Sequence, residues 1–134
     1  MAEYSTTSLI EKLGAKPGAR MAVLRAPTEY APVLAELETR VKLVKRLGGR
    51  FDVIQYFASS QEQLDAVMPN LALNLVPNGM LWVCWVKQSS LLHTELTQNL
   101  VRQAGLAAGL VDVKVAAILD DWSGLKFVYR LKDR

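Results

Sequence analysis

The polar residues with most scope for chemistry are Arg25 and Gln55, each late in an otherwise apolar run, together with Thr28, Tyr30, Ser59, Trp85, Lys87 and Trp122 at or just past the ends of such runs. If those runs are parallel strands, all eight fall along one edge and form a candidate ligand-binding set. Buried polar groups need partners, so Arg25 and Gln55 either satisfy each other or nearby backbone, or line a cleft. Trp122 either lids that cleft, anchors a partner, or packs on the sheet.

Other reactive side chains are sparse. His93 is the only histidine, so a metal site or a Ser-His or Cys-His pair would hang on one loop residue, which reads as a solvated or capping side chain. Cys84, the single cysteine, sits inside Met80-Leu81-Trp82-Val83-Cys84-Trp85-Val86 and reads as core packing; no disulfide or thiolate metal site can be built from it. Asp120-Asp121 are adjacent carboxylates in a turn, where aspartate serves local hydrogen bonding. No catalytic residue and no metal ligand is assigned.

Charge adds one feature. Sixteen basic against thirteen acidic residues leave +3, yet Arg40, Lys42, Lys45, Arg46 and Arg50 fall in an acid-free stretch. They could neutralise phosphates of a nucleic acid, but no stacking aromatic is interleaved and lysines commonly guard an edge strand against pairing, so the sequence favours the edge reading over nucleic acid.

The positioning elements follow from periodicity and turn chemistry. Ser8-Leu9-Ile10-Glu11 has capping-box spacing and predicts a helix over 8–13 closed by Gly14. Met21-Ala22-Val23-Leu24 predicts a first strand covered on both faces, and 32–38 a helix with Pro32 in its first turn. Val41-Lys42-Leu43-Val44 predicts a polar edge strand and Phe51 to Phe57 a third strand. A helix capped near Ser60 should be kinked or divided at Pro69. Pro77-Asn78-Gly79 reads as a turn launching a central strand, Met80 to Val86, before a helix over 94–108. Strands 111–119 and 125–131 close the chain as a hairpin around Asp120 to Gly124. With 134 residues, 51% apolar, the chain reads as one domain over 1–134. Its order predicts an α/β, Rossmann-like, doubly wound and mostly parallel sheet with a C-terminal antiparallel hairpin. Such sheets bind ligands beyond the carboxyl ends of their strands.

Several stretches resemble the class I S-adenosylmethionine-dependent methyltransferases: Leu13-Gly14-Ala15-Lys16-Pro17-Gly18 before strand one, Leu75 to Val83 as a post-helical strand, and Gln103-Ala104-Gly105-Leu106 with Gly109 to Val113. In that alignment the family's three loop glycines fall on Arg25, Pro27 and Glu29, its acidic strand residue falls on Val23, and Leu43 to Gly49 offers no acid for a ribose hydroxyl. A strand-helix unit is also missing before Phe51. More specifically, the chain is similar to a family of small bacterial proteins of unknown function with this truncated methyltransferase-like plan, from Tyr4-Ser5 through Gly79-Met80-Leu81-Trp82-Val83 to Trp122-Ser123-Gly124-Leu125-Lys126-Phe127-Val128.

The expectation is therefore a non-catalytic binding or interaction module that has lost the methyl-donor site and takes no cofactor. Its partner is an unidentified small molecule or protein. The alternative is a small-molecule methyltransferase using S-adenosylmethionine in an atypical cleft. Self-association through the hairpin edge, as a homodimer, is compatible with either. The start Met1 to Thr7 has no basic or apolar leader, and no run reaches the ~18 apolar residues of a membrane span, so a cytoplasmic protein is expected.

Overall fold

In a computed structural model the chain is described over residues 6–134, with side chains from Ser8 onward. Tyr4-Ser5, where the family resemblance begins, and most of the Met1 to Thr7 stretch lie outside the described residues.

The central apolar runs become strands because both of their faces find cover. Strands β1 (Arg20–Leu24), β2 (Lys42–Val44), β3 (Phe51–Phe57), β4 (Leu75–Val86), β5 (Leu110–Leu119) and β6 (Trp122–Tyr129) form one sheet in the order β2-β1-β3-β4-β6-β5. The first four are parallel, and β6 runs antiparallel between β4 and β5. Helices α1 (Thr6–Leu13) and α2 (Ala31–Glu38) bring Leu9, Ile10, Leu13, Val33 and Leu37 onto Met21, Val23, Val53, Trp82 and Cys84. On the other face α3 (Gln61–Leu73) and α4 (Gln98–Ala107) bring Leu64, Met68, Leu71 and Val101 onto Ala22, Ile54, Leu81, Val83 and Phe127. The expected mixed, mostly parallel sheet is the one observed.

The indole of Trp82 donates to the carbonyl of Leu13, 3.0 Å away, and so satisfies one of the free carbonyls at the end of α1. Gly14 follows at φ +78°, and the Ala15 amide reaches back to the Ile10 carbonyl in the six-to-one bond of a left-handed helix stop. At the other end the helix already begins at Thr6, so Ser8 lies within it instead of capping it.

Four further expectations change. Pro69 does not divide α3, which runs unbroken to Leu73; Pro69 and Asp65 lie on its exposed side, where water can meet the carbonyl that lost its donor. Pro77-Asn78-Gly79 belongs to β4, whose pairing with β3 jumps from Phe51↔Leu75 to Val53↔Met80, leaving extra β4 residues in an irregular bulge. Helix α4 is capped by the Thr97 hydroxyl, which accepts from the Leu100 amide, while Thr94 accepts from the Leu96 amide in a local turn that competes with helix. The final hairpin turns on Asp120-Asp121 alone, and Trp122 to Gly124 join β6, pairing with Val86 to Cys84.

The connection from β2 to β3 matters most for the site. A parallel crossover usually needs a dozen residues or more and a helix. Here residues 45–50 alone carry the chain over β1, and Val44 and Leu47 press this strap onto the α3 side of the sheet. Arg20 pins it, donating to the Gly48 carbonyl while its guanidinium lies 4.5 Å from the centre of the Phe51 ring.

Candidate functional site

At the carboxyl end of β1, Arg25 holds φ +59°, the only non-glycine residue with positive φ among those described. The turn that a glycine would make freely is thus retained with a charged, exposed side chain on it. Pro27 precedes a 3-10 turn, Thr28–Tyr30, that runs into α2, and Thr28 is exposed on it.

From here the edge divides by face. On the α2 side Tyr30 is fully buried, and its hydroxyl donates to Gln55 Oε1 at 2.7 Å. The Gln55 amide nitrogen in turn lies 3.6 Å from Cys84 Sγ. Gln55 is therefore satisfied within the protein by Tyr30 and Cys84, and Arg25 is not its partner. The Tyr30 ring meets Phe57 edge-on at 4.9 Å and Phe57 meets Trp122 at 5.1 Å, so three aromatics pack along this part of the edge. Burial pushes the Cys84 thiol up to about 12 and raises the Tyr30 phenol far above its usual range, so neither supplies an anion near neutrality.

The remaining expected residues scatter. Trp85 is buried in the α3-side core. Lys87 is half-buried and gives its backbone amide to the Asp121 carbonyl at 2.8 Å. Ser59 donates to Gln63 Oε1 at 2.8 Å, next to Ser60, which caps α3 as its spacing predicts. His93 is exposed with Nδ1 2.8 Å from the Ser90 carbonyl, and no trio of His, Cys, Asp or Glu among the described residues is placed to hold a metal.

On the α3 side the edge opens into a groove of about 600 Å³. Leu24 and Tyr56 line it from the strands, Lys45 and Arg46 from the strap, Gln63 and Asn70 from α3, and Arg25 from the turn after β1. Among the described residues, no carboxylate lines it. The Arg25 cation lowers the Tyr56 phenol pKa against a larger upward push from burial, so the two side chains feel each other's field.

Sequence reasoning grouped Lys45 and Arg46 with an edge-strand cluster and passed over Tyr56. The structure disperses that cluster: Arg40 pairs with Glu36 at 3.0 Å, Arg50 donates to the Leu75 carbonyl at 3.2 Å, and Lys42 stays on the edge strand. The one available signal was positional, since Lys45-Arg46 directly follow β2 as Arg25 directly follows β1.

No protein-family model matches this chain, and no curated protein matches it. Solved structures do. The methyltransferase CcbJ from Streptomyces caelestis superposes with a TM-score of 0.65 at 11% identity, over 92% of this chain and 88% of that one. Magnesium protoporphyrin IX methyltransferase from Synechocystis, with S-adenosylhomocysteine bound, gives 0.62 at 9% identity over 93% and 80%. CalO1, a methyltransferase of calicheamicin biosynthesis solved with the same molecule, gives 0.63 at 14% over 91% of this chain and 52% of that one. These are methyltransferases, two of them holding S-adenosylhomocysteine, and they correct the expectation of a non-catalytic module without a cofactor. In fold, this chain resembles a truncated class I S-adenosylmethionine-dependent methyltransferase.

Proposed function

We propose that the chain is a small S-adenosylmethionine-dependent methyltransferase acting on a small molecule through an atypical cleft at the carboxyl edge of β1 and β3. The observation that carries this reading is the match to methyltransferases over more than nine-tenths of the chain, with the left-handed turn after β1 kept at Arg25.

The residues present do not hold that cofactor in the way the family resemblance implies. Arg25, Pro27 and Glu29 stand where glycines would let the backbone approach, and Lys45 and Arg46, not an acid, follow β2. Tyr30, Phe57 and Trp122 are packed together along the α2 side of the edge. No step of the transfer is assigned to a named side chain.

Calorimetric titration of the whole chain with S-adenosylmethionine and S-adenosylhomocysteine tests the proposal. Binding at micromolar strength is expected, tightened by Arg25→Gly, which removes bulk where close approach is required. Absence of heat with both molecules at millimolar concentration overturns it.

A further inference from the structure

Unpaired polar groups converge in the groove between the strap and α3. Among the described residues, Arg25, Lys45 and Arg46 line it without an ion pair or hydrogen bond, and the hydroxyl of the buried Tyr56 has no hydrogen-bond partner. Gln63 and Asn70 add side-chain amides from α3. Two guanidinium groups, an ammonium, a phenol and amides around an acid-free pocket form a donor-rich oxyanion site, and arginine forks match the oxygens of a phosphate. At about 600 Å³ the space suits a small molecule. The other described hollows lack this sorting of charge: the one between α3 and α4 contains Asp65 and no base, and the one beside Gly14 sets Lys16 against Asp52.

The geometry points to a binding site for the phosphate group of a small phosphorylated molecule, held by Arg25, Lys45, Arg46 and the Tyr56 hydroxyl. Calling that ligand the methyl acceptor rests on the proposed function; its binding does not. A nucleic acid is disfavoured because the one aromatic lining the groove, Tyr56, has its ring buried and offers no platform for base stacking.

The experiment is calorimetry on the full chain at low ionic strength with pyrophosphate, adenosine 5′-monophosphate, adenosine and citrate, and separately with S-adenosylhomocysteine. The two phosphate probes are expected to bind and adenosine and citrate to bind at least tenfold more weakly. Arg25→Gly, Lys45→Gln and Arg46→Gln should each weaken pyrophosphate about tenfold, as loss of one charge-assisted contact predicts, whereas Lys42→Gln on the edge strand should leave it unchanged. Arg25→Gly relaxes the backbone while deleting the charge, so its loss of binding with an intact circular-dichroism spectrum cannot be put down to unfolding. Silence of both phosphate probes at millimolar concentration, tighter binding of citrate, or a short RNA that binds and is weakened as much by Lys42→Gln as by Arg46→Gln would each overturn the inference. Phosphate binding without S-adenosylhomocysteine binding would leave this site standing and remove the methyl-transfer reading; the reverse result would remove this site alone.

Discussion

Arg25 carries a backbone cost that its position exposes to measurement. A side chain in the left-handed region costs roughly 1 to 2 kcal/mol, and glycine returns part of that through its freer unfolded chain, so Arg25→Gly should stabilise the protein by about 0.5 to 1 kcal/mol. Thermal denaturation should show this as a rise of about 2 to 4 °C, and a fall would mean that the arginine stabilises the fold by contacts outweighing the strain. The sequence made Arg25 legible as an interruption at the end of a strand, and the structure places it in the lining of a groove. It did not make the partner of Gln55 legible, because Tyr30 lies 25 residues away and meets it only once α2 has folded back over β3. Lys45 and Arg46 were equally hidden: their side of the sheet is decided by Leu47 burying itself on the α3 face, a tertiary event.

At the scale of elements, α4 meets β6 through a glycine, Gly105, set against Phe127. A Cβ added to Gly105 would stand 2.0 Å from Phe127 Cε1, a fully buried ring, so α4 rests on the sheet through a position without a side chain. Gly105→Ala improves helix propensity by roughly 1 kcal/mol, but overpacking of this order costs about 1 to 3 kcal/mol or more. Urea denaturation should therefore give a net loss, and Phe127→Leu in the same chain should recover part of it; additivity of the two changes would show that the contact is not the cause. Elements governed by local chemistry were readable in advance, among them β3 over Phe51–Phe57 and α3 from its Ser60 cap. Elements whose boundaries depend on neighbours were not. Leu96 has helical spacing with Leu100, yet it is buried in the core from a loop, and Pro77 to Gly79 carries the composition of a turn, while a Cβ on Gly79 would stand 3.0 Å from the Phe51 and Val76 carbonyl oxygens inside β4.

For the molecule as a whole, the buried Tyr30-Gln55-Cys84 chain ties stability to alkaline pH. The Cys84 thiol moves from 9.0 up to about 12 on folding and the Tyr30 phenol rises from 10.0, so in both cases the unfolded chain loses its proton first. Stability is therefore complete below pH 9 and falls as pH rises through the interval from 9 to 12, by up to about 1.4 kcal/mol per pH unit per group. Denaturant midpoints measured across that range should show the decline beginning near pH 9 in the native chain and near pH 10 in Cys84→Ala; an onset unchanged by the substitution would remove Cys84 from the account. No described helix is long and apolar enough to cross a membrane. The strap over β1 has a consequence of another kind. β2 is three residues long and pairs with β1 over only three positions, too little to hold an edge strand by its own hydrogen bonds. Seven Cα-to-Cα steps separate Val44 from Phe51, which confine the end of β2 to within about 25 Å of β3 wherever it drifts. Its return to β1 is thus an intramolecular event at an effective concentration on the order of millimolar, and truncation of the crossover acts as a short tether that keeps a marginal strand, and the two cations that follow it, in place.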